Sequence, residues 1–173
     1  RSEGADAENT MDQHVKRFQI ELDNCEKKCK DSRPNGILVS LDGKKVYVAD
    51  NHSDAKGNHH LVQFDVQQDG TLTNKKILFD IGPDRRGIDG MTLDENGNIY
   101  ATAGRGELSG IYVFSPAGKQ LAFIPTGDTP TNCVFGGGKE KGVLYITARV
   151  PKPLIRWGLY RIPLKVKGHH IYE

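Results

Sequence analysis

The sequence predicts an all-β fold made of about three four-stranded β-propeller blades. Two observations carry that prediction. From Arg33 onward, short runs of β-branched and aromatic residues alternate with Gly, Asp and Asn turns, and no stretch has helical period. In addition, one strand–turn–strand unit returns three times.

Residues 1–10 are polar and are expected to form a tail. In residues 11–24, Val15, Phe18, Ile20 and Leu22 fit a strand better than a helix, and a strand is expected over Arg17 to Leu22. A charged connector, residues 23–32, follows. The chain therefore divides into a tail and connector, 1–32, and a partial propeller, 33–173, whose blades start near residues 33, 88 and 130.

The three repeats open on Pro34-Asn35-Gly36-Ile37, Ile88-Asp89-Gly90-Met91 and Thr131-Asn132-Cys133-Val134. Each opening leads to an apolar strand, a turn and a second strand: Lys45 to Ala49, Asn98 to Thr102 and Val143 to Thr147. Tyr47, Tyr100 and Tyr145 fall at matching places in those second strands. Third strands are expected at Val62 to Val66, Ile111 to Phe114 and Leu159 to Ile162. Asp42-Gly43, Asp69-Gly70 and Asn96-Gly97 are hairpin turns. The openings lie 54 and 43 residues apart, close to the ~40–50 residues of a propeller blade.

Composition narrows the function. The chain has 173 residues, 36% hydrophobic and 27% charged, with a formal net charge of +2. Its lysines are scattered, so nucleic acid is not an expected partner. No stretch approaches the ~20 apolar residues of a membrane helix, and no signal peptide is recognisable. A membrane is not an expected partner, and a secreted or periplasmic location is expected ahead of a cytoplasmic one. Three cysteines do not make a disulfide framework. Cys25 and Cys29 could share a face or bridge in a loop, whereas Cys133 is expected to be a small buried hydrophobe.

The repeat has a chemical consequence. Equivalent positions in successive blades lie on a ring around the propeller axis, and Asn35, Asp89 and Asn132 each place a side-chain oxygen there. Converging oxygens suit a hard cation such as Ca²⁺. Asn-Gly and Asp-Gly pairs also simply make turns. In the loop from Asn51 to His60, His52, His59 and His60 are candidates to reach the channel mouth, with a solvated loop as the plainer reading. Arg105 and Glu107 hold the corresponding place in the second blade. His169 and His170 are expected to be exposed in the tail, and Trp157 to be a packing residue.

RPNGILVSLDGKKVYVAD, FDVQQDG, IDGMTLDENGNIYATAGRGELSGIYVFSPAGK and IPTGDTPTNCVFGGGKEKGVLYITA, with LYRI after them, resemble the senescence marker protein, gluconolactonase and luciferin-regenerating enzyme family. The resemblance covers residues 33 to about 163, and Arg1 to Ser32 resembles nothing in it. It implies half of a six-bladed propeller with one divalent metal at the channel mouth, and hydrolysis of a lactone or related ester. It implies Asn35 and Asp89 as metal ligands, with Asp89 also the catalytic acid/base. It implies Asn132 for the substrate pocket, and His52 and Arg105 are added as pocket candidates from their loop positions alone. Ca²⁺ is expected ahead of Zn²⁺, Mg²⁺ or Mn²⁺. The metal would polarise the lactone carbonyl, and Asp89, or a water it orients, would act as base.

Two departures accompany the resemblance. Ile88 stands where the family usually has Pro, and the family's Glu and Asn-Asp-Gly ligands upstream of Asn35 have no counterpart here. Three blades also leave strand edges and apolar faces uncovered, so completion by another segment, another chain or a second copy is expected. The alternative from a different functional class is a non-catalytic propeller fragment that binds a ligand or a protein.

Overall fold

A computed structural model describes residues 32–170, apart from 55, 84 and 151–155. The strand expected at Arg17 to Leu22 and the Cys25/Cys29 pair lie outside the described residues. The described part is an all-β partial propeller of three antiparallel sheets. The first blade is β1 (Pro34–Val39), β2 (Lys45–Asn51), β3 (His59–Val66) and β4 (Leu72–Asp80), hydrogen-bonded in that order. The second is β5 (Met91–Leu93), β6 (Ile99–Ala103), β7 (Gly110–Phe114) and β8 (Gln120–Pro125). The third has three strands among the described residues: β9 (Thr129–Phe135), β10 (Val143–Val150) and β11 (Arg156–Pro163). The helical content of the described residues is two single 3₁₀ turns, Gly106–Leu108 and Gly138–Glu140. None of their helices is long and apolar enough to cross a membrane.

The predicted turns form for the predicted reason. Gly43, Gly70 and Gly97 take φ of +70°, +79° and +78°, where a side chain would be strained. Each donates its N–H to the carbonyl three residues earlier, on Ser40, Gln67 and Asp94 respectively.

Blades pack face to face through two cores. Tyr47, Ala49 and Leu61 of the first blade meet Met91, Leu93, Ile99, Ala101, Tyr112 and Phe114 of the second. The opposite face of the second blade, with Tyr100, Ile111 and Val113, meets Cys133, Phe135, Leu144 and Ile146. Cys133 is the small buried residue expected of it. Full burial of residues such as Leu61 and Phe114 stabilises the stack by roughly 1.5–3 kcal/mol each.

The end faces of the stack differ from its interior. Met91 and Cys133 are 8% and 4% exposed against a preceding blade, while Ile37, at the same register position in the first blade, is 66% exposed. On the other side Val134, Trp157 and Leu159 of the third blade are exposed. Trp157 therefore does not pack as expected, because it lies on β11, outermost of the described strands of its blade.

His169 and His170 also depart from expectation. The C-terminal segment returns to the second and third blades, where His169 N–H donates to the Leu93 carbonyl and a His170 ring nitrogen contacts the Gly136 carbonyl at 2.9 Å. Gly168 bridges Asp94 and lies so close to the Phe135 ring that a side chain there would collide with it. Both histidines are half-buried as a result.

Candidate functional site

Each innermost strand begins with a β-bulge at the same end of its blade. In the first blade Pro34 pairs with Asp50 and Ile37 with Val48, which leaves Asn35 and Gly36 facing Ala49. In the second, Asp89 N–H donates to the Thr102 carbonyl at 2.9 Å while Thr102 N–H donates to Gly90 at 3.0 Å. In the third, Asn132 pairs with Thr147 and Pro130 with Ala148, so Thr131 is the extra residue. A bulge re-aims the side chain at its first position. Asn35 and Asp89 thus occupy equivalent places, as expected. The residue equivalent to them in the third blade is Thr131, not Asn132; the repeat match made from sequence is one residue out there.

The bulge glycines let the blades close on one another. A Cβ on Gly36 would collide with the Asp89 carbonyl, and one on Gly90 would lie 2.7 Å from the Asn132 Cα. Gly90 N–H also crosses to the Thr131 carbonyl at 3.0 Å. The Asp89 backbone therefore sits directly beside the Asn35-Gly36 bulge.

Asp89 is not free. Its carboxylate forms an ion pair with the Arg86 guanidinium, which also donates to the Pro130 carbonyl at 2.8 Å. The two side chains are 21% and 16% exposed, so the pair is only lightly screened. Arg86 ties the second blade to the third and holds the Asp89 charge.

Arg86 also lines a cleft of about 300 Å³ at this end of the first two blades, together with Arg33, Asn35, Asn51, His52, Arg85 and Arg105. Of the expected site residues, the structure gathers Asn35, His52 and Arg105 here, with Asp89 one layer behind Arg86. Asn132 lies elsewhere, in a shallow hollow of the third blade with Val134, Tyr145 and Leu159. Its Oδ1 accepts the Cys133 N–H at 2.8 Å. Glu107 is exposed on its 3₁₀ turn and does not line the cleft.

Of the three histidines expected in the mouth loop, His52 lies in it, while His59 and His60 open β3. His59 is buried, and its two ring nitrogens contact the carbonyls of Gly82 at 3.0 Å and His52 at 2.8 Å. It is a structural strut with no nitrogen to spare. His60 points to Asp80 at 3.9 Å. His52 is held by the Asp54 N–H, which donates to its Nδ1 at 3.0 Å, and by Gly57 against its ring. In the neutral ring the proton then sits on Nε2, which is left to donate.

Arg33, Asn51, Arg85 and Arg86 were not foreseen. They come together only through the fold, and the one local signal was the Arg85-Arg86 pair just ahead of the Ile-Asp-Gly-Met opening. Their supports are specific. Arg33 N–H donates to the buried Asp50 carboxylate at 2.6 Å. Gly87 packs against Asn51, where a Cβ would be 2.9 Å from its Oδ1. Gly104 N–H donates to the Arg86 carbonyl at 2.9 Å, and its φ of +84° turns the chain into Arg105.

As a cation site, Asn35 and Asp89 offer one amide and one carboxylate oxygen, the donor chemistry of a hard ion. The pair fits as part of a shell; Ca²⁺ takes about six to eight oxygens. Among the described residues no cluster of three or more His, Cys, Asp or Glu gathers around a point.

Fold and cleft together define a partial β-propeller with a polar, arginine-rich mouth. The chain belongs to the SMP-30/Gluconolactonase/LRE-like family, whose pattern matches residues 3–149. That match includes nearly all of the stretch before Arg33, so the expectation that residues 1–32 stand outside the family is overturned. The chain is 36% identical over 128 residues to a gluconolactonase of Zymomonas mobilis, covering 68% of this chain and 33% of that protein. It is 28% identical over 168 residues to human regucalcin, covering 91% of this chain and 51% of that one. Among solved structures it matches a luciferin-regenerating enzyme with a TM-score of 0.66 at 26% identity, over 79% of this chain and 47% of that one. It also matches a gluconolactonase of Xanthomonas campestris with a TM-score of 0.54 at 28% identity, over 75% of this chain and 38% of that one. The chain spans a third to a half of the curated relatives it matches.

Proposed function

We propose that this chain carries the mouth of a metal-dependent lactone hydrolase. The observation that carries the proposal is the pair of matching bulges, which put Asn35 and Asp89 side by side at the cleft end of adjacent blades. Family membership and the relatives named gluconolactonase support the reaction class. Asn35 and Asp89 hold a divalent cation, Ca²⁺ ahead of Zn²⁺, Mg²⁺ or Mn²⁺, with further oxygens from water, substrate or other residues. Such a cation supplies Lewis acidity at the lactone carbonyl. Asp89 accepts the proton of the attacking water, and His52 Nε2–H and Arg105 orient the substrate from the rim. Asn132, outside the cleft, is proposed at most to steady the bulge beside Asp89.

The test is glucono-lactone hydrolysis with each cation added after chelation. Turnover that returns with a divalent cation, and is lost in Asp89→Ala with the fold intact, supports the proposal. No cation binding and no turnover, or an Asp89→Ala protein that still hydrolyses lactone, would overturn it.

One observation favours a second reading, a non-catalytic ligand-binding propeller. Arg86 already neutralises Asp89, so a cation must displace it. Calorimetric titration with CaCl₂ separates the readings: a protein that binds small ligands but no cation fits the second.

We also propose that further blades, from another segment, another chain or a second copy, cover the faces bearing Ile37 and Val39 at one end and Val134, Trp157 and Leu159 at the other. Light scattering at several concentrations tests the second-copy form: a mass twice that of the 19.1 kDa chain supports it, and a monomer refutes it.

A further inference from the structure

We infer that the mouth cleft binds an anionic group, so that the preferred lactone carries a carboxylate or phosphate besides its ring ester. The inference rests on the lactone-hydrolase reading and goes beyond it in naming the substrate class.

Three of the separate stretches of chain that line the cleft contribute arginine: Arg33 ahead of β1, Arg85 and Arg86 ahead of β5, and Arg105 after β6. None of the described residues that line the cleft is acidic. Two described carboxylates border it and both are taken up, Asp89 by Arg86 and Asp50 by the Arg33 N–H and the Asn58 amide. Arg33, Arg85 and Arg105 have no ion-pair partner among the described residues.

Like charges facing one small space repel, and the fold does not let them disperse freely. The Asp50 carboxylate anchors the backbone of Arg33, Gly87 seats the Arg85-Arg86 loop on Asn51, and Gly104 sets the direction of Arg105. Guanidinium groups are planar forks matched to the paired oxygens of carboxylate and phosphate. The rest of the wall, with Asn35, Asn51 and His52, offers hydrogen bonds to hydroxyl groups. A volume of about 300 Å³ admits a single sugar-sized ring. A neutral lactone would use the hydroxyl-binding wall and leave the guanidinium groups unmatched.

The experiment compares three lactones on the full chain with divalent cation present: glucono-1,5-lactone (neutral), glucaro-1,4-lactone (carboxylate) and 6-phosphoglucono-1,5-lactone (phosphate). At least one anionic lactone should exceed the neutral one in kcat/KM by roughly 30-fold, the scale of charge-assisted hydrogen bonds. Which anionic arm leads identifies the group. The advantage should shrink several-fold at 0.5 M NaCl, because the arginines face solvent. Arg85→Gln and Arg105→Gln, checked for folding by circular dichroism, should each lower the anionic-to-neutral ratio by roughly tenfold. Turnover of the neutral lactone with no anionic preference would overturn the inference while leaving the hydrolase reading intact. If no lactone is turned over, calorimetry with glucarate against sorbitol decides. Glucarate binding that Arg105→Gln weakens upholds the anion site without the hydrolase, and equal failure to bind either overturns it.

Discussion

Replacing Gly90 by Ala tests how closely the second and third blades must approach. The added Cβ would lie 2.7 Å from the Asn132 Cα and closer still to the Asn132 side chain. Ordinary contact begins near 3.4 Å, so the third blade must retreat by about 0.7 Å. That retreat stretches the Gly90 N–H bond to Thr131, now 3.0 Å, and the Arg86 bond to Pro130, now 2.8 Å. Overpacking costs about 1–3 kcal/mol and a weakened hydrogen bond about 1 kcal/mol more, so a loss near 3 kcal/mol is expected. At roughly 2–4 °C per kcal/mol for a chain of this size, Tm should fall by about 6–12 °C. Thermal unfolding followed by far-ultraviolet circular dichroism measures it. A Gly90→Ala protein melting within 2 °C of the wild type would refute the close approach and, with it, the bulge geometry that places Asp89.

Three further outcomes are expected. Arg86→Gln should lose about 2 kcal/mol of stability, since it strands a largely buried carboxylate and a carbonyl, yet bind Ca²⁺ at least tenfold more tightly; weaker Ca²⁺ binding by calorimetry would count against Asp89 as a ligand. Burial pushes the Cys133 thiol from 9.0 to about 12, and burial followed by the Asp94 carboxylate pushes the Tyr100 phenol from 10.0 to about 12. Both groups keep in the folded state protons that the unfolded chain releases, so urea stability should be full below pH 9 and fall from there toward pH 12, with Cys133→Ala flattening the slope. Gly168→Ala should lower Tm by several degrees, because the new methyl meets the Phe135 ring under the returning C-terminal segment.

Much of the fold was legible because its signals are local. Alternating apolar residues mark strands, and Gly43, Gly70 and Gly97 mark turns that demand positive φ. The recurrence of Tyr47, Tyr100 and Tyr145 aligned the blades. The slip at Asn132 came from the same method: a bulge adds one unpaired residue, and nothing in Thr131-Asn132 says which of the two is extra. Asn35 and Asp89 were matched correctly because a glycine follows each. The arginine cleft was not legible, since Arg33, Arg85 and Arg105 meet only once separate loops are folded together. Trp157 and His170 misled for a related reason, because burial depends on which strand is outermost and where a tail returns.

The repeated bulge has a broader consequence. Main-chain bonds across the strand pair hold it, helped in the second and third blades by the facing Thr102 and Thr147 hydroxyls, so the fold dictates where the first bulge side chain stands more than what it is. Each blade thus presents an interchangeable socket at one rim, filled here by an amide, a carboxylate and a hydroxyl. Single substitutions there can change what the rim binds while the sheet beneath stays as it was, so new chemistry can arise without a new scaffold.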